Sequence, residues 1–355
     1  VLPEGVTSLR GSRDTWQMRR AVLDLSPASV LLVSPGRSQA EWESGIAMQK
    51  ERVTLSLPWQ TVGGPAYLDL HQDAAEKLLS AGGTQLSVLA AQGTDRVVAE
   101  TLRGVSLSVA TATVIVEAQS APNVVGILEG SDPELKNEFV VFSGHMDHVG
   151  VGTPDATGDS IYNGADDDAS GTVAVVEVAE AMASLETAPR RSMIFLIVSG
   201  EEKGLWGSQF FADNPSVPVS QMVANFNMDM VGRNWPDTIV AIGKEHSDLG
   251  VTLNKVNERH PELNMTAIDD RWPDERFYFR SDHYNFAQKG VPILFFFNGT
   301  HEDYHKLSDE VDKIDTDKAA RISQLLFYLS VEVANADERP KWNPQSYREI
   351  VSDRQ

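Results

Sequence analysis

The stretch EFVVFSGHMDHVG, Glu138–Gly150, carries the reading of the fold. Its first half is a short apolar run of β-branched and aromatic residues, too short for most helices and suited to a strand buried on both faces. Its second half sets His145, Asp147 and His148 just beyond that run. In an extended segment, residues two apart face the same side, so His145 and Asp147 can meet one site. Taken alone this pattern can arise by chance.

The same arrangement recurs along the chain. Apolar runs NVVGIL (123–128), SMIFLIVSG (192–200), MVANFNMD (222–229) and VPILFFF (291–297) also read as buried strands. Between them, GTVAVVEVAEAMASL (171–185) and DKAARISQLLFYLSVEVANA (317–336) are apolar at helical spacing. Buried strands alternating with helices indicate an α/β sheet covered by helices on both faces. Such sheets bind ligands at the carboxyl ends of their strands.

Strand ends carry the chemistry. SMIFLIVSG runs into Glu201 and Glu202, whose alternative reading is a solvated pair. MVANFNMD ends in Asp229, which also reads as a turn aspartate. VPILFFF leads through a loop to Tyr304 and His305, where a lone histidine is usually solvated. NGADDDASG, Asn163–Gly171, places three aspartates before a helix, where the helix dipole alone would favour acid. Each signal is modest, but the set His145, Asp167, Glu201–Glu202, Asp229, His305 is coherent. Imidazole and carboxylate without sulfur suit catalytic zinc, or manganese or cobalt as substitutes. One catalytic zinc takes about three protein ligands. Five suit two metals sharing a bridging carboxylate, about 3.5–4 Å apart.

Composition limits the alternatives. The chain has 355 residues, enough for two domains, with 41% hydrophobic and 8% aromatic residues. A net charge of −21 argues against nucleic acid as a partner. No eighteen-residue apolar run suggests a membrane span. There is no cysteine, hence no disulfide, thiolate site or cysteine nucleophile. The chain starts at Val1 without an apolar leader and reads as processed or trimmed.

Up to about residue 121 the sequence reads as a β-rich domain. SVLLVS (29–34) and RVTLSLP (52–58) suggest strands, and AAEKLLSAGG (74–83) a helix closed by glycine. GVSLSVATATVIVEA (104–118) alternates as a half-buried antiparallel strand does. His71 stands alone and reads as surface or core rather than ligand.

The segments NVVGILEGSDPELKNEFVVFSGHMDHVG, GDSIYNGADDDASGTVAVVEVAEAM, IFLIVSGEEKGLWGSQFF, NFNMDMVG, SDHYNFAQKGVPILFFF and DYHKLSDE together resemble metallopeptidase family 28. These are co-catalytic zinc exopeptidases, including aminopeptidases and glutamate carboxypeptidase. The resemblance spans most of residues 123–336. It implies a mixed, mostly parallel sheet with helices on both faces, the zinc-exopeptidase fold. The β-rich segment before it resembles a protease-associated (PA) domain. The expected layout is a PA-like domain over 1–121, a di-zinc peptidase domain over 122–340 and a tail over 341–355. Family members with this insert carry a helical segment ahead of it, which is either trimmed or lacking here.

The resemblance also implies roles. Asp167, the aspartate preceding Asp-Ala-Ser-Gly, would bridge two Zn2+ ions. One ion would take His145 and Asp229, the other Glu202 and His305. Glu201 would be the general base, Asp147 would orient His145, and Tyr304 would stabilise an oxyanion or merely pack. The Asp167–Asp168 peptide would be cis, and Asp166 a solvated acid with no role. Phe277–Phe279, Trp206 and Met230 could line a side-chain pocket or simply pack. His148, His283 and His301 match no ligand position and read as surface or supporting residues. The implied activity is an exopeptidase acting on peptides, an aminopeptidase first among the readings, secreted or periplasmic. Carboxypeptidase, dipeptidase, one-zinc glutaminyl cyclase and a non-catalytic receptor-like scaffold are the alternatives. The oligomeric state is not legible.

Overall fold

The computed structural model describes residues 13–51, 55–58, 65–90, 101–110 and 114–351. The chain divides into two compact units, Val1–Gln119 and Ser120–Gln355.

In the first unit the described elements are α1 (Arg13–Leu23), β1 (Ser29–Leu32), α2 (Gln39–Glu51), β2 (Ala66–Asp69), α3 (Gln72–Ala81) and α4 (Leu86–Ala90). Strands β1 and β2 pair in parallel, and Val30, Val33, Ala75 and Leu79 form its buried apolar positions. Helix therefore outweighs strand among the described residues, against the β-rich expectation. The helix expected at 74–83 is α3, and the glycine pair Gly82–Gly83 follows it. His71 caps that helix, its Nδ1 accepting the Asp73 N–H at 3.2 Å. Part of 52–58 lies outside the described residues, and 55–57 is not strand. The long strand expected at 104–118 is absent from the described residues 104–110 and 114–118, where Val114, Ile115 and Val116 are exposed. Alternation describes what a paired strand would show. It does not supply a partner for the backbone N–H and C=O groups.

The second unit begins with β3 (Val124–Leu128), β4 (Phe139–His145), β5 (Gly150–Val151) and β6 (Ile161–Tyr162). Then come α5 (Gly171–Ala183), β7 (Ser192–Val198), α6 (Trp206–Asp213), β8 (Met222–Met228), β9 (Thr238–Ile242) and α7 (Leu249–Arg259). It closes with β10 (Thr266–Ile268), α8 (His283–Gln288), β11 (Ile293–Phe296), α9 (Thr316–Asn335) and α10 (Pro344–Ile350). Seven strands form one sheet in the order β10-β9-β11-β8-β4-β7-β3. Pairings β9/β11 and β7/β3 are antiparallel and the others parallel, which gives the mixed, mostly parallel sheet.

All seven residues of β4 are buried. Val140 and Phe142 face a core with Val175 and Val178 of α5 and Leu325 and Leu329 of α9. Phe139 and Val141 face the opposite core with Phe211 of α6 and Phe286 of α8. Each such side chain contributes about 1.5–3 kcal/mol on burial. This two-sided burial explains why β4, β7, β8 and β11 are continuously apolar, whereas β3, expected from NVVGIL as a buried strand, is mostly exposed. Residues 341–351, expected as a tail, pack onto the unit: Ile350 joins the second core and Trp342 Nε1 donates to the Gly290 carbonyl at 2.8 Å.

β4 and β8 are parallel neighbours, and the chain leaves β4 towards β7 on one side and β8 towards β9 on the other. That is a topological switch point, where open α/β sheets form their binding crevice. Strands β4, β7, β8 and β11 run parallel and present their carboxyl ends along one edge. No helix among the described residues is long and apolar enough to cross a membrane.

Candidate metal centre

His145 is the last residue of β4 and is 1% exposed. Its Nδ1 lies 2.9 Å from the Asp147 carbonyl oxygen, where the ring N–H can donate. That tautomer leaves Nε2 as a free lone pair. Nε2 lies 3.4 Å from Asp167 Oδ1 and 3.7 Å from Asp229 Oδ1, with no hydrogen-bond partner. Asp229 follows β8 directly. Its Oδ2 accepts the Ser281 hydroxyl at 2.8 Å, so Oδ1 is the oxygen left facing His145. Ser281 in turn accepts from Asn227, which accepts the Ser143 hydroxyl, a buried polar chain running from the sheet to Asp229.

The other oxygen of Asp167 belongs to a second nest. Asp167 Oδ2 lies 3.1 Å from His305 Nε2. Glu202 Oε1 lies 3.2 Å from the same nitrogen and has no hydrogen-bond partner of its own. The structure thus brings together all five candidate ligands, with Asp167 between two groups.

The three aspartates of NGADDDASG do different things. Asp168 is buried close to His145 and Asp229, yet its oxygens accept the N–H groups of Gly171, Met230 and His145 at 2.9, 3.2 and 3.0 Å. Its lone pairs are largely committed to the backbone, which leaves Asp167 as the aspartate with oxygens facing both groups. Asp166 is fully buried rather than solvated, which overturns the reading of it as a surface acid. Its Oδ1 accepts the Gly232 N–H at 2.7 Å and the Ser170 hydroxyl at 3.0 Å, and its Oδ2 lies 3.2 Å from His301 Nε2. The Asp309 carboxylate accepts the N–H groups of both Asp166 and Asp167. The Asp167–Asp168 peptide is cis. Gly171 is required by close approach, since a Cβ there would sit 2.3 Å from Asp168 Oδ1 and 2.4 Å from the Met228 carbonyl oxygen.

Asp147 orients His145 chiefly through its carbonyl, since its carboxylate Oδ1 is 3.9 Å from Nδ1. The carboxylate instead accepts the N–H groups of Glu201 at 3.1 Å and Glu202 at 3.3 Å. One residue therefore ties the end of β4 to the loop after β7.

Charge follows this packing. Burial and the neighbouring acids Asp282, Asp229 and Glu202 push the Glu201 carboxyl well above its usual range, although His145 opposes this. Burial would also raise Asp167, but His145 and His305 hold it low. Glu202 is held down to about 2, against burial, by His148 and His305. Hydrogen bonds with Asp167 and Glu202 raise His305 to about 9. Acids held ionised around imidazoles, with lone pairs left over, are a cation site in charge and in donor chemistry.

Beside the nests is an open pocket lined by Glu201, Met230, Phe277, Phe297 and Tyr304 among others. Tyr304 stacks on His305 with ring centroids 3.9 Å apart. Burial, followed by nearby Asp167, Asp229 and Glu202, raises its pKa, so its hydroxyl remains a donor. Arg280 lies over the Phe277 ring, its Cζ 4.7 Å from the centroid. Trp206 and Phe279 do not line this pocket. His305 and Met230 both hold left-handed backbone, φ 55° and 58°, a strain typical of functional loops. A cleft in the first unit, lined by Leu32, Arg37, Trp42, Asp69 and His71, has no comparable cluster of ligands.

Sequence reasoning missed His148, whose Nδ1 is 2.9 Å from Glu202 Oε1. Its spacing three residues after His145 was the available signal. His283 is a core residue, its Nε2 2.8 Å from the Tyr278 carbonyl, and burial lowers its pKa to about 3. His301, expected at the surface or in support, is a buried partner of Asp166.

Imidazoles and carboxylates gathered at the parallel strand ends of one sheet form a donor set suited to a metal ion. The chain belongs to Peptidase family M28, whose family model matches residues 123–330. It is 31% identical over 258 residues to a probable zinc metalloprotease of Leptosphaeria maculans, covering 62% of this chain and 58% of that protein. Among solved structures, the LapA aminopeptidase of Legionella pneumophila is 26% identical with a TM-score of 0.50, covering 61% of this chain and 56% of that one. An aminopeptidase from Aneurinibacillus sp. strain AM-1, 19% identical with a TM-score of 0.52, covers 87% and 70% and supports the fold. The chain spans 58%, 53% and 50% of the lengths of three fungal zinc metalloprotease relatives.

Proposed function

We propose that this chain is a zinc-dependent aminopeptidase working with two zinc ions. The observation that carries the reading is Asp167, which offers one carboxylate oxygen to each of two ligand nests. His145, Asp167 and Asp229 would hold one ion, and Asp167, Glu202 and His305 the other. The orphaned Nε2 of His145, Oδ1 of Asp229 and Oε1 of Glu202 fit such ions. Zinc held by these residues would supply a water activated near neutral pH. Glu201, held by Asp147 and lining the pocket, would accept the proton of that water and pass it to the leaving amine. Tyr304 would donate to the developing oxyanion. Met230, Phe277 and Phe297 give the pocket an apolar wall suited to an apolar substrate side chain. The names of the aminopeptidase relatives favour attack at a free N-terminus. A secreted or periplasmic location, where peptides are scavenged, is carried over from the family resemblance.

The test pairs metal analysis with a panel of free and N-blocked peptides. Cleavage confined to free N-termini with bound zinc is the expected result. Cleavage of blocked peptides from the C-terminus would reverse the direction of attack.

A further inference from the structure

The second nest contains one more donor than the family-derived assignment uses. His148 Nδ1 lies 2.9 Å from Glu202 Oε1 and 3.8 Å from Asp167 Oδ2. His305 Nε2 lies 3.2 and 3.1 Å from those same two oxygens. Tetrahedral zinc with bonds of about 2.0–2.1 Å separates its ligand atoms by about 3.3 Å. These four separations scatter around that edge length.

The imidazole of His148 is not an idle surface ring. Its side chain is 7% exposed, and both ring nitrogens are buried without a hydrogen bond of acceptable geometry. A buried, unsatisfied imidazole is costly unless something binds it. Packing aims the ring. It lies edge-on to His305 with centroids 5.5 Å apart. Its other side meets the backbone of Gly164, where a Cβ would be 2.6 Å from His148 Cγ. Gly164 has φ +64°, so glycine there meets both the left-handed turn and the close approach.

We infer that His148 is a fourth protein ligand of the second metal, binding through Nδ1 alongside Asp167, Glu202 and His305. The inference rests on the two-metal reading above and deepens it. It makes the two sites unequal. The first has three protein ligands and keeps an open position, as catalytic zinc sites do. The second would have four protein ligands and reach five-coordination with the shared water, which holds its ion more tightly. The second site therefore fills first and empties last.

The test uses the full chain stripped with chelator and titrated with Co(II), for wild type and His148→Ala. Each coordinated imidazole retains one N–H, which gives one exchangeable, paramagnetically shifted proton resonance. Wild type is expected to bind two Co(II) in unequal steps and to show three such resonances. H148A is expected to show two and to lose affinity in the tighter step only. The loss should exceed the about 10–100-fold typical of a residue that merely supports a ligand. Thermal unfolding of both metal-free proteins separates this from a folding defect, and His148→Asn serves if H148A does not fold. Two Co(II) with only two resonances in wild type, unchanged in the variant, overturns this inference alone. No Co(II) uptake by folded wild type overturns the metal-centre reading and this inference with it.

Discussion

The carboxylate of Asp147 accepts the backbone N–H of Glu201 at 3.1 Å, joining the loop after β4 to the loop after β7. The residue that sets the His145 ring through its carbonyl thus also fixes the chain bearing Glu201 and Glu202. Replacing Asp147 by alanine frees both N–H groups and loosens that loop. Metal affinity or turnover is expected to fall about 10–100-fold, as for other residues that support ligands. Zinc titration and kinetics on the folded variant check this.

Glu201 lines the pocket, and neither nest needs it as a ligand. Glu201→Gln keeps the shape of the side chain and removes the proton acceptor. Turnover is expected to drop about 10²–10⁴-fold with metal content unchanged. Near-normal turnover in the metal-loaded variant would remove Glu201 from the role of base.

Tyr304→Phe removes a hydroxyl and leaves the stacking on His305 in place. A donor to an oxyanion acts mainly in the transition state, so kcat should fall about 10²-fold while KM barely moves. An unchanged kcat would leave Tyr304 as packing.

Proton and metal compete at His305. Its pKa is raised from 6.5 to about 9 in the metal-free protein by Asp167 and Glu202. That contribution to stability is fully present below pH 6.5 and is lost as pH climbs through about 9. The chelated protein should therefore melt at progressively lower temperature across this window. Zinc needs the unprotonated ring, so zinc affinity should rise across the same window. Melting curves with and without zinc, at steps of pH, test both signs.

Arg191 is a buried arginine whose Nε donates to Glu138 at 2.7 Å and whose Nη1 donates to the Val333 and Ala336 carbonyls at the end of α9. Arg191→Met leaves those acceptors short. Arg339 still pairs with Glu138, so the cost belongs at the low end for a broken buried pair, about 3 kcal/mol. Denaturant unfolding should show that loss with zinc stoichiometry intact.

The sheet was legible because β4, β7, β8 and β11 are buried on both faces and read as unbroken apolar runs. The candidate ligands were legible because they follow those runs. Periodicity failed at 104–118, where alternation did not come with strand pairing among the described residues. After His145 the chain leaves extended geometry: Asp147 does meet His145, chiefly through its carbonyl. The Asp147 carboxylate then reaches the Glu201–Glu202 loop and His148 swings into the second nest. Asp166 was misread because a string of acids before a helix usually meets water. Here the Gly232 N–H, Ser170 and His301, all distant or weakly signalled in sequence, enclose it.

In the proposed mechanism Asp167 is shared by two metal ions. Equilibrium dialysis against zinc followed by elemental analysis of wild type and Asp167→Ala tests it most directly. Two zinc ions per wild-type chain are expected, with loss of zinc from both sites in the folded variant. One zinc per wild-type chain, retained undiminished by D167A, would contradict it.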